Sequence, residues 1–326
     1  MIEIFILLLG LIGLYFGADA VVEGARKIAL ELKVSQTLLG LTIISIGTSI
    51  PEIMTNLFSG WKVSRGIEAS GIAVGTNIGS DVTQITFILG VTALLGTLYI
   101  TKRDLVRDGK MILFSIILVF IVGFTDGKVT VLEGIVLLVI YAFYLGKLAK
   151  DEKVLRKVIK NHKNHKNHFD IFKNGAKLTL GLIILIIASK YVVESALTLS
   201  ELWGVSQSFI GIMIVGIGTA LPELSTALKG IMKGAHEISI GTILGSNITD
   251  PMLSLPLGAI ATSSIGLTFD KNLLWFDMPF WFIVSIIALF LLGRNLKIGK
   301  QEKKEGYILI ALYLVFVFIK ITYFMR

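Results

Sequence analysis

Ten apolar segments of this chain are each close to the ~20 residues that a helix needs to cross the hydrocarbon core of a bilayer. They occupy residues 3–29, 37–61, 68–97, 109–125, 129–148, 175–200, 207–231, 237–262, 272–293 and 305–324. Lipid offers no water to unpaired backbone groups, so segments of this kind must form helices. We therefore expect an all-α polytopic membrane protein with ten transmembrane helices, numbered here in chain order.

The composition agrees with a membrane protein. Of the 326 residues, 54% are hydrophobic and 17% are charged, whereas soluble domains contain roughly 25% charged residues. The chain has no cysteine, which excludes disulfides and thiolate metal sites. The first segment lacks a basic start and ends in the polar residues Asp19 and Glu23, so we expect a retained helix and not a cleaved signal.

The basic residues predict the orientation in the membrane. The loops that follow helices 1, 3, 5, 7 and 9 hold most of them, including Lys102, Arg103, Arg107 and ten residues within 147–177. Cytoplasmic loops carry the excess of Lys and Arg. We therefore expect a multi-pass protein of the cell membrane whose two termini are extracellular. Anionic lipid headgroups are the expected partners of this basic surface, and nucleic acid is not.

One polar stretch, residues 149–174, separates the apolar segments into two groups of five. It contains three histidines at three-residue spacing, His162, His165 and His168. Histidines at this spacing could line one face of a helix and bind a transition metal. The interleaved lysines oppose cation binding, however, and the asparagines favour a solvated loop. We expect a basic cytoplasmic linker.

A hexapeptide occurs twice within the apolar segments. Residues 47–52, Gly-Thr-Ser-Ile-Pro-Glu, return 171 positions later as residues 218–223, Gly-Thr-Ala-Leu-Pro-Glu. Downstream, residues 75–80 match residues 241–246 at an offset of 166. A carboxylate in hydrocarbon is costly and marks a functional site by default.

The matched motifs predict two repeats, residues 1–148 and 175–326, joined by the linker 149–174. Each repeat has five spans, an odd number, so the second must run opposite to the first. Inverted repeats whose helices are interrupted by Gly and Pro are typical of secondary transporters, with the site at the midplane between the repeats.

Oxygen-bearing residues recur on one face of helices 2, 3, 7 and 8. Residues three or four positions apart share a helix face, and Pro51 and Pro222 leave backbone carbonyls without donors one turn earlier. Hydroxyls, bare carbonyls and carboxylates suit hard cations such as Na⁺ and Ca²⁺. The set comprises Ser45, Thr48, Ser49, Glu52, Thr55, Thr76, Ser80, Gln84, Gly216, Thr219, Glu223, Thr226, Thr242, Ser246 and Asp250.

The charge of the two glutamates favours a divalent ion. Glu52 and Glu223 together carry −2, which one Ca²⁺ neutralises. When empty, the two carboxylates repel each other unless they are protonated or sodium ions fill the site. This mutual exclusion is what an antiporter requires, because the carrier should change sides only when it is loaded.

The doubled hexapeptide and the Gly-Ser that follows it resemble the α-repeats of the sodium/calcium exchanger family, within the cation/calcium antiporter superfamily. The resemblance implies ten helices in two inverted repeats, with four ion sites on helices 2, 3, 7 and 8 and no cofactor. It implies that Glu52 and Glu223 bind calcium together with backbone oxygens at Thr48 and Thr219.

The same resemblance implies the sodium ligands. An outer sodium ion would use Ser49, Thr219, Ser246, Glu223 and the carbonyl of Gly216, whereas an inner one would use Thr48, Ser80, Glu52 and the carbonyl of Ser45. Gln84 and Asp250 would occupy the middle position.

Several residues depart from the family pattern. Ala220 stands where the hydroxyl equivalent to Ser49 would be, and Gln84 replaces a shorter Asn. Thr76 and Thr242 replace the Asn of the usual Gly-Asn. Asp81 is an extra intramembrane acid that lies beside Gln84, about 60° away around the helix, or faces a polar crevice. Potassium-dependent relatives carry Asp at both middle positions, so Gln84 argues against that class.

The sequence thus predicts a Na⁺/Ca²⁺ antiporter that works by alternating access. A Ca²⁺/H⁺ antiporter is the alternative within this class, favoured by Ala220 and Asp81. A cation channel with the same lining is a second alternative, and an intramembrane enzyme is disfavoured because no His-Glu-x-x-His or paired aspartate motif appears. The sequence is compatible with a monomer but does not determine the oligomeric state.

Overall fold

The computed structural model describes residues 2–31, 45–96, 98, 100–156, 168–232, 236–294 and 303–323. These residues are almost entirely helical, which confirms the all-α prediction. The first half contains α1 (Ile2–Glu31), α2 (Ser45–Thr48), α3 (Ile50–Ser64), α4 (Ser70–Val82), a π-helical turn π1 (Thr83–Ile88), α5 (Leu89–Leu95), α6 (Lys102–Asp126), strand β1 (Lys128–Val129) and α7 (Val131–Arg156).

The second half follows the same order. It contains α8 (His168–Trp203), α9 (Gln207–Ile210), π2 (Gly211–Gly216), α10 (Ile217–Thr219), α11 (Leu221–Met232), α12 (His236–Thr249), π3 (Asp250–Ser254), α13 (Leu255–Ala261), β2 (Leu267–Thr268), π4 (Leu273–Asp277), α14 (Met278–Arg294) and α15 (Lys303–Tyr323). The two short strands pair antiparallel, with Lys128 opposite Thr268. They join the ends of α6 and α13.

Seven stretches of the described residues are long and apolar enough to cross a membrane by themselves. They are Ile2–Gly24, Ser70–Leu95, Val131–Lys150, Lys173–Trp203, Gln207–Met232, Leu273–Arg294 and Lys303–Tyr323. The predicted segments 37–61, 109–125 and 237–262 are not among them. Part of the first lies in residues 32–44, outside the described residues. The total of ten spans therefore stays a prediction.

The helices that carry the polar motifs occupy the centre of the molecule. Within the most apolar part of Ser70–Leu95, 78% of the residues are buried. Within the most apolar part of Val131–Lys150, only 22% are buried. Helix α4 packs against π2 and α9, α3 packs against α13, and α1 and α8 run along each other. Exposed apolar side chains on the outer helices are what lipid contact requires.

Both helices beside the predicted linker 149–174 extend into it. Helix α7 continues to Arg156, and α8 begins at His168. Polar residues can continue a helix beyond the hydrocarbon because its backbone bonds remain internal. His162 and His165 lie outside the described residues, so the predicted solvated linker stays a prediction.

The two repeats meet where α4 crosses π2. A Cβ atom placed on Gly79 would lie 2.5 Å from the carbonyl oxygen of Ile212, and one on Gly216 would lie 2.8 Å from the backbone nitrogen of Ser80. Both distances are shorter than van der Waals contact, so the backbones touch here. Gly79 therefore allows the close approach of α4 and π2.

We expect Gly79→Ala to lower the melting temperature of the detergent-purified protein, because the methyl group must push α4 away from π2. Overpacking of this kind costs about 1–3 kcal/mol. Gly146→Ala in α7 is the matched control, since no atom lies within 4 Å of its added Cβ. Equal melting temperatures for the two variants would show that this crossing is not tightly packed.

Candidate functional site

The two hexapeptides interrupt their helices at the same point. Ser49 lies between α2 and α3, and Ala220 lies between α10 and α11. Both have nearly helical dihedral angles, with ψ of 5° at Ser49 and −2° at Ala220. The break follows from Pro51 and Pro222, which have no N–H to donate to the preceding turn. Each interruption sets a glutamate in the first turn of the helix that follows.

Glu52 and Glu223 are fully buried and have equivalent partners. The Ser80 hydroxyl donates to Glu52 Oε1 at 2.7 Å, and the Ser246 hydroxyl donates to Glu223 Oε1 at 3.1 Å. Within the part of the chain that the structure describes, Oε2 of each glutamate has no hydrogen-bond partner. Each carboxylate therefore has one oxygen held by a serine and one oxygen left open.

Side chains from the two repeats meet around these glutamates. The hydroxyl oxygens of Thr48 and Ser246 lie 3.4 Å apart. Glu52 interacts electrostatically with Glu223 and Asp250, and the Ser49 hydroxyl is buried without a hydrogen-bond partner among the described residues. A carboxylate from each half thus belongs to one buried centre.

Gln84 and Asp250 lie at the boundary between the halves. Nε2 of Gln84 donates to the Ser80 hydroxyl at 2.8 Å and reaches Asp250 Oδ2 at 3.4 Å. Its Oε1 accepts from Asn247 at 3.0 Å. Both residues stand in π-helical turns, Gln84 in π1 and Asp250 at the start of π3. Single π-helical turns are rare and frequently occur at functional sites.

The other predicted oxygen donors have different surroundings. Thr219 of the second hexapeptide donates to the carbonyl of Gly216, the last residue of π2, at 3.3 Å. The Thr55 hydroxyl is buried without a partner among the described residues. Thr76 instead donates to the Ile72 carbonyl of its own helix. Ser45 is the first residue of α2, Thr226 is half-buried and Thr242 is buried.

Sequence reasoning missed two asparagines beside the glutamates. The Asn56 amide donates to the Glu52 carbonyl at 2.8 Å and to the Ser254 hydroxyl at 3.0 Å. Asn77 donates to Asn56 Oδ1 at 2.9 Å. Asn56 follows Glu52 by four residues in an apolar helix, and this spacing could have identified it. The equivalent residues of the second repeat, Ala227 and Ile243, are apolar.

This centre is suited to hard cations. Its donors are carboxylate, hydroxyl, amide and carbonyl oxygens, which Na⁺ and Ca²⁺ prefer. No group of three or more His, Cys, Asp or Glu residues that could hold a metal ion occurs within the described ranges. The carboxylates of the centre are accompanied by neutral oxygens, an arrangement compatible with ions that are bound and released.

The fold and the site define a polytopic helical membrane protein with an acidic, oxygen-lined centre between two related halves. Comparison with known proteins then assigns the family. The model of the "sodium/calcium exchanger protein" family matches residues 2–148 and 175–322. The chain belongs to the sodium/calcium exchanger family.

Individual proteins agree with this assignment. The chain is 30% identical to the sodium/calcium exchanger MaX1 of Methanosarcina acetivorans, with 97% of each chain covered. It is also 30% identical to the inner membrane protein YrbG of Escherichia coli, over 89% of this chain and 88% of that protein. A solved structure of the sodium-calcium exchanger NCX_Mj superposes with a TM-score of 0.64 at 27% identity, over 97% of both chains.

Proposed function

We propose that this protein is a secondary active antiporter that exchanges sodium for calcium across the cell membrane by alternating access. One observation carries the proposal: Glu52 and Glu223 are fully buried, and each has an unpartnered carboxylate oxygen. Buried carboxylates in a bilayer need a counter-charge. Membership of the sodium/calcium exchanger family supports sodium and calcium as the ions, and supports a transporter over an enzyme.

Calcium binds between the two glutamates with backbone oxygens at Thr48 and Thr219. The sodium ions use the carboxylates of the same glutamates and the hydroxyls beside them. The ligands of the outer ion are Ser49, Thr219, Ser246, Glu223 and the Gly216 carbonyl, and those of the inner ion are Thr48, Ser80, Glu52 and the Ser45 carbonyl. Gln84 and Asp250 occupy the middle position.

Shared carboxylates explain why the transport is an exchange. An empty centre holds two like charges in a medium of low dielectric constant, which is strongly unfavourable. Calcium or sodium ions relieve the repulsion, but both cannot use Glu52 and Glu223 at once. The carrier therefore crosses between its inward-facing and outward-facing states when it is loaded.

The proposed topology has ten transmembrane helices in two inverted repeats of five, with the ion site at the midplane. The match of the family model in two blocks on either side of residues 149–174 supports the division. The distribution of basic residues supports a cytoplasmic linker and two extracellular termini.

A Ca²⁺/H⁺ antiporter is the second candidate, and Ala220 favours it. This residue is buried at the break of the second hexapeptide and offers no hydroxyl where the first repeat has Ser49. Protons need no such ligand, whereas a sodium ion does.

The distinguishing experiment measures ⁴⁵Ca²⁺ uptake into sealed vesicles that contain the purified protein. We expect uptake that requires an outward sodium gradient and persists when a protonophore collapses the pH gradient. Replacement of internal sodium by choline and vesicles without protein are the controls. Uptake that is indifferent to sodium and abolished by the protonophore would establish proton coupling instead. Flux that needs no counter-ion would indicate a channel.

A further inference from the structure

The last helix of each repeat carries a motif of its own. In α7, Glu-Gly at residues 133–134 is followed by Tyr141, and in α15, Glu-Gly at residues 305–306 is followed by Tyr313. Two helical turns are about seven residues, so the glycine and the tyrosine of each copy lie on the same face of their helix. The function proposed above assigns no role to either tyrosine.

The glycines show which neighbour this face packs against. A Cβ atom placed on Gly134 would lie 3.0 Å from the carbonyl oxygen of Pro256 in α13, and one on Gly306 would lie 2.8 Å from that of Gly90 in α5. Pro256 and Gly90 are themselves equivalent, at the offset of 166 residues. Helix α13 directly follows π3, and α5 directly follows π1. In both repeats, the tyrosine face is therefore turned towards the helix that supplies a residue of the middle position.

Tyr141 forms a hydrogen bond beside π3. Its hydroxyl oxygen lies 2.8 Å from that of Thr249, the last residue of α12. The Thr249 hydroxyl donates to the Gly245 carbonyl at 2.9 Å, and a threonine has a single hydroxyl proton, so Tyr141 is the donor in this bond. In the other repeat, the Tyr313 ring packs on that of Phe87 in π1, with the ring centroids 5.3 Å apart.

Asp250, the residue after Thr249, has little support of its own. Its Oδ1 has no hydrogen-bond partner among the described residues, and the Gln84 amide reaches its Oδ2 at 3.4 Å, beyond the usual N–H···O range of about 2.7–3.2 Å. Its backbone begins a π-helical turn, where the regular helical bonds are interrupted, and Pro251 has no N–H to donate. A hydrogen bond from Tyr141 to the preceding residue restrains this weakly bonded segment.

We propose that Tyr141 is a positioning residue of the ion site. By donating to Thr249 it fixes the start of π3, and thereby the direction in which Asp250 presents its carboxylate. Tyr141 does not bind an ion itself but acts as the outer partners of metal ligands do, whose loss weakens ion binding although the ligands remain. The inference rests on the proposed function, in which Asp250 belongs to the ion site.

Sodium-driven ⁴⁵Ca²⁺ uptake by the reconstituted protein tests this. Tyr141→Phe keeps the ring and removes the hydroxyl. We expect the sodium and the calcium concentrations for half-maximal uptake each to rise about three- to tenfold, less than the loss of a direct partner of a ligand causes. The maximal rate should remain close to that of the wild type, because saturating ions compensate for weaker binding.

Tyr144→Phe is the matched control. The Tyr144 hydroxyl lies one turn further along α7 and donates to Asp108 Oδ1 at 2.8 Å, so this variant also loses one tyrosine hydrogen bond. Its half-maximal concentrations should equal those of the wild type. Unchanged concentrations in Tyr141→Phe, or an equal rise in both variants, would overturn the proposal. Wild-type uptake that ignores sodium would overturn the proposed exchange instead, and the calcium comparison would still decide the role of Tyr141.

Variants of Thr249 provide a second measurement that leaves Tyr141 intact. Thr249→Ser keeps the hydroxyl and should retain the affinity for both ions, whereas Thr249→Val removes the acceptor and should raise the same two concentrations. Adding Tyr141→Phe to Thr249→Val should cause no further rise, because both changes remove the same interaction. A further rise in the double variant would contradict a role of Tyr141 that is exerted through Thr249.

Discussion

Glu223→Gln should reduce sodium-driven ⁴⁵Ca²⁺ uptake in proteoliposomes to the level of vesicles without protein. The amide has nearly the size of the carboxylate but removes one of the two charges that balance calcium. The unpartnered Oε2 of Glu223 becomes an amide nitrogen or a weakly charged oxygen, neither of which neutralises a divalent ion. The loss in calcium affinity should exceed tenfold, which corresponds to about 1.4 kcal/mol. Glu52→Gln should behave in the same way.

Controls separate loss of binding from loss of folding. Glu223→Asp keeps the charge on a shorter side chain and should retain part of the uptake, whereas Glu201→Gln should transport as the wild type does. The size-exclusion profile of Glu223→Gln should match that of the wild type, because Ser246 can still donate to the amide oxygen. Normal uptake by Glu223→Gln would mean that the calcium site lies elsewhere.

Lys320→Met should destabilise the protein by about 3–5 kcal/mol, the usual cost of removing one partner of a buried ion pair. Nζ of Lys320 in α15 lies 3.0 Å from Asp277 Oδ2 at the end of π4, and both side chains are 0% exposed. Without the lysine, the Asp277 carboxylate remains buried and charged. The measurement is thermal unfolding in detergent, followed by tryptophan fluorescence.

The double variant Lys320→Met/Asp277→Asn should recover most of that loss, since no charge is then left unpaired. Lys62→Met is the matched control. Its salt bridge with Glu194 spans 2.7 Å, but the Glu194 side chain is 35% exposed, so the loss should be below about 1 kcal/mol. Equal destabilisation by Lys320→Met and Lys62→Met would show that burial does not set the cost.

Features within one segment could be predicted from the sequence. Apolar length predicted the helices, and Pro51 and Pro222 predicted the breaks. An acidic residue after each proline predicted a polar centre, and Glu52 and Glu223 are indeed buried. Each of these features depends on neighbours along the chain, where helical periodicity relates sequence directly to position.

Contacts between distant segments could not be predicted in this way. Gln84 bonds to Asn247, and Lys320 pairs with Asp277, because particular helices pack together at a particular rotation. The orientation of Asp81 was open for the same reason. A π-helical turn such as π1 rotates the residues beyond it relative to a regular helix, so a helical wheel drawn from the sequence misplaces them.

Asn56 of the first repeat donates to Ser254 of the second and accepts from Asn77, whereas Ala227 and Ile243 stand at the positions equivalent to Asn56 and Asn77. Two identical inverted halves would give a carrier whose inward-open and outward-open forms have equal energy. Amide contacts that only one repeat supplies at these positions give the two forms different energies. Under the proposed alternating access, we expect the resting carrier to favour one side of the membrane, so that the apparent calcium affinity measured from the cytoplasm differs from that measured from outside.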